Sequence, residues 1–230
     1  MFMPDGMEMT SATSARTPAA ARAAARTASP ADSRTRLLDA AMHVIRAQGY
    51  AATSVDDICR EAGLTKGAFF HHFKSKEDLA VAAAAHFAAM AERLFAAAPY
   101  RTLADPLDRL LGYIDFRSAI IVGPLPDFTC LLGTMVQEAY DTHPAIRAAC
   151  ETYIGAHVAE VAKDIEAAKA RYAPDARWSA DSLALYTQAV LQGAFILAKA
   201  QNGHKTARDC IAHLRRYLEQ LFDRPNQKEE

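Results

Sequence analysis

Between Ala62 and Lys76 the chain carries no acidic residue, yet Lys66, His71, His72, Lys74 and Lys76 fall in this window beside Phe69, Phe70 and Phe73. Ammonium and imidazole groups gathered away from carboxylates suit an anion, and the hydroxyls of Thr53, Ser54 and Thr65 add neutral donors beside them. Nucleic-acid phosphate is the anion such a surface fits. The attraction has to be local: the 230-residue chain has a net charge of −1, and residues 1–80 hold ten Lys/Arg against nine Asp/Glu.

Other chemistries find little support. There is no GxSxG, HExxH, GxGxxG or Walker-type stretch, so no catalytic site is expected. Cys59, Cys130, Cys150 and Cys210 are scattered, with no CxxC and no ligand spacing, so neither a metal nor a cofactor is expected. Without a secretory signal or a long apolar run, the expectation is a cytoplasmic chain with reduced thiols and no membrane partner.

Helices have to position these groups. Residues 1–31 are mostly Ala, Thr, Ser, Pro, Met and Arg without apolar periodicity, and read as a disordered tail. From Ser33 the period becomes helical, with Leu37, Leu38, Ala41, Val44 and Ile45 on one face and Gly49 placed to end the helix. Thr53 and Asp56 have capping-box spacing for a second helix that Gly63 breaks, and Thr65 caps a third from Lys66 to His72. Ser75 with Asp78 opens a long, Ala-rich fourth helix reaching Ala97. Further amphipathic segments follow: one ended by the Gly-Pro-Leu-Pro stretch at 123–126, then Phe128–Asp141, Pro144–Arg171, Ala180–Gln201 and Thr206–Phe222. The expected fold is all-α, about nine helices.

The second and third helices form a helix-turn-helix by position. Cys59, Gly63, Leu64 and Phe69 stand where that motif takes a small packing residue, a turn glycine and two core apolars. With Gly49-Tyr50, Thr53-Ser54, Ile58, Ala62-Gly63-Leu64, Gly67 and FFHHFKSKEDL from Phe69, the stretch from Arg34 to Leu79 resembles the tetracycline-repressor (TetR) family of bacterial transcription regulators. The resemblance covers about a fifth of the chain; beyond it only the helical layout agrees.

The resemblance implies an N-terminal three-helix DNA-binding domain over 32–80 and a ligand-binding and dimerisation domain over 81–224. Thr65, Lys66 and Ala68 would approach base edges in the major groove, with Lys66 the guanine reader, while Gly67 lets backbone come close to DNA. Arg34, Thr53, Ser54, Phe70, His71, His72 and Lys76 complete the expected DNA surface. Many relatives carry a phosphate-binding Tyr where Phe70 stands, and that hydrogen bond is lost here.

In the C-terminal part, Ile211, Leu214, Leu218 and Leu221 make a narrow apolar seam, and the preceding helix is apolar nearly all round, with Gly193 permitting close approach. The resemblance implies that these two helices pair with a second copy through Leu183, Val190, Gly193, Leu197 and the seam; ordinary packing within one chain is the alternative. An effector pocket is expected among Phe128, Cys130, Met135, Tyr140, Tyr153, His157 and Tyr186. The function expected is a homodimeric repressor released from palindromic operator DNA by a small-molecule effector. A DNA-binding protein controlled by a protein partner, an architectural protein, and an all-α enzyme are the alternatives.

Overall fold

Hydroxyl side chains of Ser54, Thr65 and Ser75 start the helices around the helix-turn-helix, and left-handed glycines end the two before the recognition helix. The structure, a computed structural model, describes residues 30–222. The expected tail lies outside the described residues except for Pro30 and Ala31, which begin helix α1 (Pro30–Gln48). Gly49, with φ of 90°, closes it.

Helix α2 (Val55–Ala62) is capped by Ser54 and Asp57, one residue later than the Thr53–Asp56 pair expected from sequence. Thr53 is withdrawn because its hydroxyl donates to the Gly49 carbonyl at 2.6 Å and is buried there. Gly63, at φ 62°, ends α2, and the Leu64 N–H donates back to Cys59 O at 2.9 Å. Arg36 of α1 adds a guanidinium donor to Ala62 O at 2.6 Å. Thr65 caps α3 (Lys66–His72) by accepting from the Ala68 N–H, and Ser75 caps α4 (Lys76–Ala96) by accepting from that of Asp78. Asp78 reaches back to the Lys74 N–H, so the reciprocal half of the expected box is displaced by one residue.

A short 3₁₀ turn (Pro99–Thr102) leads to α5 (Pro106–Ala119), whose first turn Asp105 caps. The Gly-Pro-Leu-Pro stretch does more than break a helix, since Leu125–Phe128 forms the short α6 before α7 (Leu131–Ala139). α8 (Pro144–Tyr172), α9 (Ala180–Ala200) and α10 (Lys205–Phe222) complete ten α-helices and no strand among the described residues.

Two apolar cores form. The head core gathers Leu37, Ile45, Ile58, Phe69 and Leu79, and is completed by Leu131, Met135, Ile146 and Cys150 from α7 and α8. The body core holds Leu110, Ile114, Ile165, Leu191, Ile211, Leu214 and Leu218. α4 runs from one to the other, with Leu79, Ala80, Ala83 and Ala84 buried in the head and Phe95 in the body. Glu138 of α7 fastens that helix to the turn after α1, accepting the Ala51 N–H at 2.7 Å; a Cβ at Gly49 would run into that carboxylate.

α4 and α9 are each long and apolar enough by length and composition to cross a bilayer, against the expectation of no such run. α4 owes this to its alanines. α9 owes it to having two apolar faces: one packs into the body, while Leu185, Tyr186, Ile196 and Leu197 stay exposed.

Candidate functional site

The head offers one edge of polar groups. Thr65, Lys66 and Gly67 at the start of α3 are exposed, as are Ser54, Arg34, Phe70 and His71; Ala68, His72 and Lys76 are half-buried. Phe69 is fully buried beneath them, its ring meeting Phe70 edge-on at 5.1 Å, so one phenylalanine anchors α3 while the next faces outward. Gly67 needs no glycine for internal reasons: an added Cβ would meet nothing nearer than Thr65 Oγ1 at 3.7 Å.

The cations here are tethered. Lys66 Nζ lies 2.9 Å from Asp56, and both side chains are more than half exposed, so the pair is weak and exchangeable. Lys76 is held more firmly, donating to Tyr50 O and Thr53 O at 2.9 Å each with its Nζ 4.3 Å from the centre of the Tyr50 ring. Burial lowers its pKa. Two of its three donors thus hold the turn before α2, and one remains for a phosphate. His71 and His72 touch edge-on at 4.8 Å, and desolvation, then His71 and Arg34, lower the pKa of His72. Thr53, buried with its hydroxyl spent on Gly49 O, does not reach this surface, correcting its expected role.

A second site lies in the body, a cavity of about 880 Å³ walled by α4, α5, α8, α9 and the α6–α7 segment. Of the residues expected around an effector pocket, Phe128, Cys130, Tyr153 and His157 line this cavity. Met135 does not, being fully buried in the head core. Tyr140 points outward at the end of α7, and Tyr186 lies on the outer face of α9 with its ring 5.3 Å from Tyr217.

Three residues that sequence reasoning missed dominate the cavity wall. Tyr113 OH and His157 Nε2 lie 2.9 Å apart, and Phe95 packs on both rings. Burial, then Arg117, push the His157 pKa down to about 4, so its imidazole is neutral at pH 7; burial raises that of Tyr113. Arg117 lies over Phe95 at 5.3 Å and over Phe195 at 5.7 Å. The available signal was a cation four residues after Tyr113 and three after Ile114, on the buried stripe of α5. Cys130 caps α7, its Sγ accepting the Gly133 N–H at 3.4 Å, within electrostatic reach of Arg46 and Lys199, charges distant from it in sequence.

The outer surface of α9 and α10 also departs from expectation. Leu183, Ile211, Leu214 and Leu218 are at most 4% exposed inside the single chain, because α10 presses that seam onto the body core; they are unavailable to a second copy. Leu221 is half-buried against the same core. Val190 is likewise half-buried against that core, whereas Leu197 is exposed beside Leu185, Tyr186 and Ile196, and a Cβ on the half-buried Gly193 would meet nothing within 4 Å.

Comparison with known proteins fits this architecture. Residues 37–83 match the family described as bacterial regulatory proteins, tetR family, and residues 106–214 match the tetracyclin repressor-like C-terminal domain. The chain belongs to the TetR family. It is 42% identical over 48 residues to the HTH-type transcriptional regulator AcrR of Shigella flexneri, covering 21% of this chain and 22% of the relative. Curated relatives of this kind are matched over about a fifth of their own length. A TetR transcriptional regulator from Chloroflexus aurantiacus superposes with a TM-score of 0.72 at 27% identity, covering 83% of this chain and 96% of that one. A TetR-family regulator from Agrobacterium tumefaciens, at 21% identity and a TM-score of 0.72, covers 82% and 98% and shares the fold.

Proposed function

We propose that this protein is a cytoplasmic, ligand-responsive transcriptional repressor that binds a palindromic operator as a homodimer. The observation that carries it is the start of α3, where Thr65, Lys66 and Gly67 stand exposed on a helix anchored by the buried Phe69. Lys66 exchanges its weak pair with Asp56 for a base edge, and the bare Gly67 backbone approaches the duplex. Arg34, Ser54, Ala68, Phe70, His71, His72 and the remaining donor of Lys76 track the flanking backbone.

A palindrome needs two heads at a fixed separation. The exposed face of α9, with Leu185, Tyr186, Ile196 and Leu197 around the open Gly193 and Tyr217 of α10 beside it, supports a two-fold interface. The cavity supports effector control, because Arg46 of α1 reaches its wall and donates to Asp127 O and Thr129 O at 3.4 Å each, while α4 spans both cores. A ligand that shifts α6 or α4 moves the heads, and operator must weaken that ligand by the factor by which the ligand weakens operator.

Selection of bound DNA from a random pool is the test. The expected consensus is a near-palindrome whose major-groove contacts lie roughly one helical turn apart. Recovery of a single asymmetric half-site, or of no preferred sequence, would sink this function.

A further inference from the structure

Arg117 is unusual among the cations of the body. Arg101 pairs with Glu160 and Asp164, Arg109 with Asp164, and Arg215 with Asp115. Arg117 has no ion pair and no hydrogen bond among the described residues, although it is half-buried and lines the cavity. Its guanidinium is placed by the Phe95 and Phe195 rings, which accept no N–H in the ring plane. A half-buried guanidinium with idle donors is costly unless something accepts from them.

What surrounds it is apolar or neutral. Tyr113 and the uncharged His157 satisfy each other, and Phe95, Phe128 and Phe195 supply an aromatic wall. The cavity's carboxylates do not reach Arg117: Glu160 and Asp164 are taken by Arg101 and its neighbours, and Glu92 and Asp127 are exposed at the edge.

We propose that the effector is an organic anion, a carboxylate or a comparable oxyanion carried on an aromatic body. The oxyanion accepts from Arg117 and the body lies against Phe95, Phe128 and Phe195. The inference rests on the effector-binding function above and adds the chemical class. A planar guanidinium fits a two-oxygen acceptor, and withdrawal from water strengthens that contact.

The test uses two dyes of the same shape, anilinonaphthalene sulfonate and its uncharged parent N-phenylnaphthylamine, titrated by fluorescence into the full chain. The sulfonate should bind the wild type about tenfold more tightly than the parent, and Arg117→Gln should remove that advantage while changing the parent by less than about twofold. Arg93→Gln removes the same charge from an exposed position of α4 outside the cavity lining and should keep the preference. An Arg117→Gln protein that binds the sulfonate like wild type, or an Arg93→Gln protein that loses as much, overturns the anionic class. Ala91→Trp, which fills the cavity from α4, should abolish binding of both dyes. If it leaves both unchanged, the cavity takes neither and the effector function falls with this inference; if it blocks both while Arg117→Gln separates neither, only the anion is lost.

Discussion

The head and the body differ in one partly buried cation beside their functional surfaces. In the head Lys66, Lys76 and Arg36 are each engaged by a carboxylate or by carbonyls, on an edge that also exposes Thr65, Gly67, Phe70 and His71. In the body Arg101, Arg109 and Arg215 are paired with carboxylates, while Arg117, which lines the cavity, lies over aromatic rings without an ion pair among the described residues. A satisfied cation fixes geometry, whereas an unsatisfied one waits for an acceptor, so the head is suited to present a shape and the body to receive a molecule.

The largest expected effect separates the two faces of the C-terminal helices. Leu214→Asp places a charge where the side chain is 2% exposed within the body core and should cost more than about 4 kcal/mol, unfolding the protomer. Leu197→Asp, at a side chain 46% exposed, should leave protomer stability within about 0.5 kcal/mol yet split the proposed dimer. Light scattering and thermal denaturation read both. A Leu197→Asp protein that remains dimeric would place the interface elsewhere.

Next in size is a pH effect confined to the body. His157 has a folded pKa of about 4, below its ordinary value, so the unfolded chain takes up a proton first as pH falls. The stability from keeping it neutral is fully present above pH ~6.5 and is lost between there and about 4, with a total on the order of 3 kcal/mol. Denaturant titrations across that window should show this slope in wild type and a shallower one in His157→Gln. Equal slopes would mean that His157 is not held neutral by the cavity.

On the head, Lys66→Ala should cost about 1 to 3 kcal/mol on the best operator and relax its sequence preference, since a base contact is lost. Lys76→Ala should weaken all sequences alike and also lower the stability of the head, because two carbonyls lose their donor. Equal losses on operator and random DNA for Lys66→Ala would move it from the bases to the phosphates.

These regions differ in legibility for the same physical reason that they differ in charge. The helix-turn-helix is fixed by neighbours a few residues apart: Ser54 with Asp57, Gly63 in the left-handed region, Thr65 with the Ala68 N–H. Such pairs can be seen in sequence, although the cap slipped by one residue because Thr53 turned inward to Gly49 O. The cavity is made by contacts such as Tyr113 with His157, 44 residues away, which no local pattern encodes. Periodicity locates the apolar stripe of Ile211, Leu214 and Leu218 without saying what covers it, so a second copy and packing within the chain both remain open until the body core is seen to cover it. α9 has two such stripes, and only packing determines which one stays outside.

The smallest expected effect tests whether the cap of α2 is also a DNA contact. The Ser54 hydroxyl accepts from the Asp57 N–H at 3.1 Å and donates to its Oδ2 at 2.6 Å, while the Ser54 N–H donates to the same oxygen at 3.0 Å. These bonds, with Arg60, hold the Asp57 pKa down to about 2. Loss of the cap that Ser54 gives the Asp57 N–H should cost about 1 kcal/mol of stability near neutral pH in Ser54→Ala. The sign with pH follows from the depressed carboxyl: its stabilisation is present above an unfolded pKa of about 3.9 and fades as pH falls toward about 2, so the gap between wild type and variant should narrow over that window without closing, because the Ser54 hydroxyl still accepts the Asp57 N–H. If the hydroxyl serves a phosphate as well, operator and random DNA should both bind Ser54→Ala more weakly than wild type at a temperature where both proteins are fully folded. Unchanged DNA affinity there, with the stability loss intact, would make Ser54 a cap alone and leave the phosphate to the N–H groups at the start of α2.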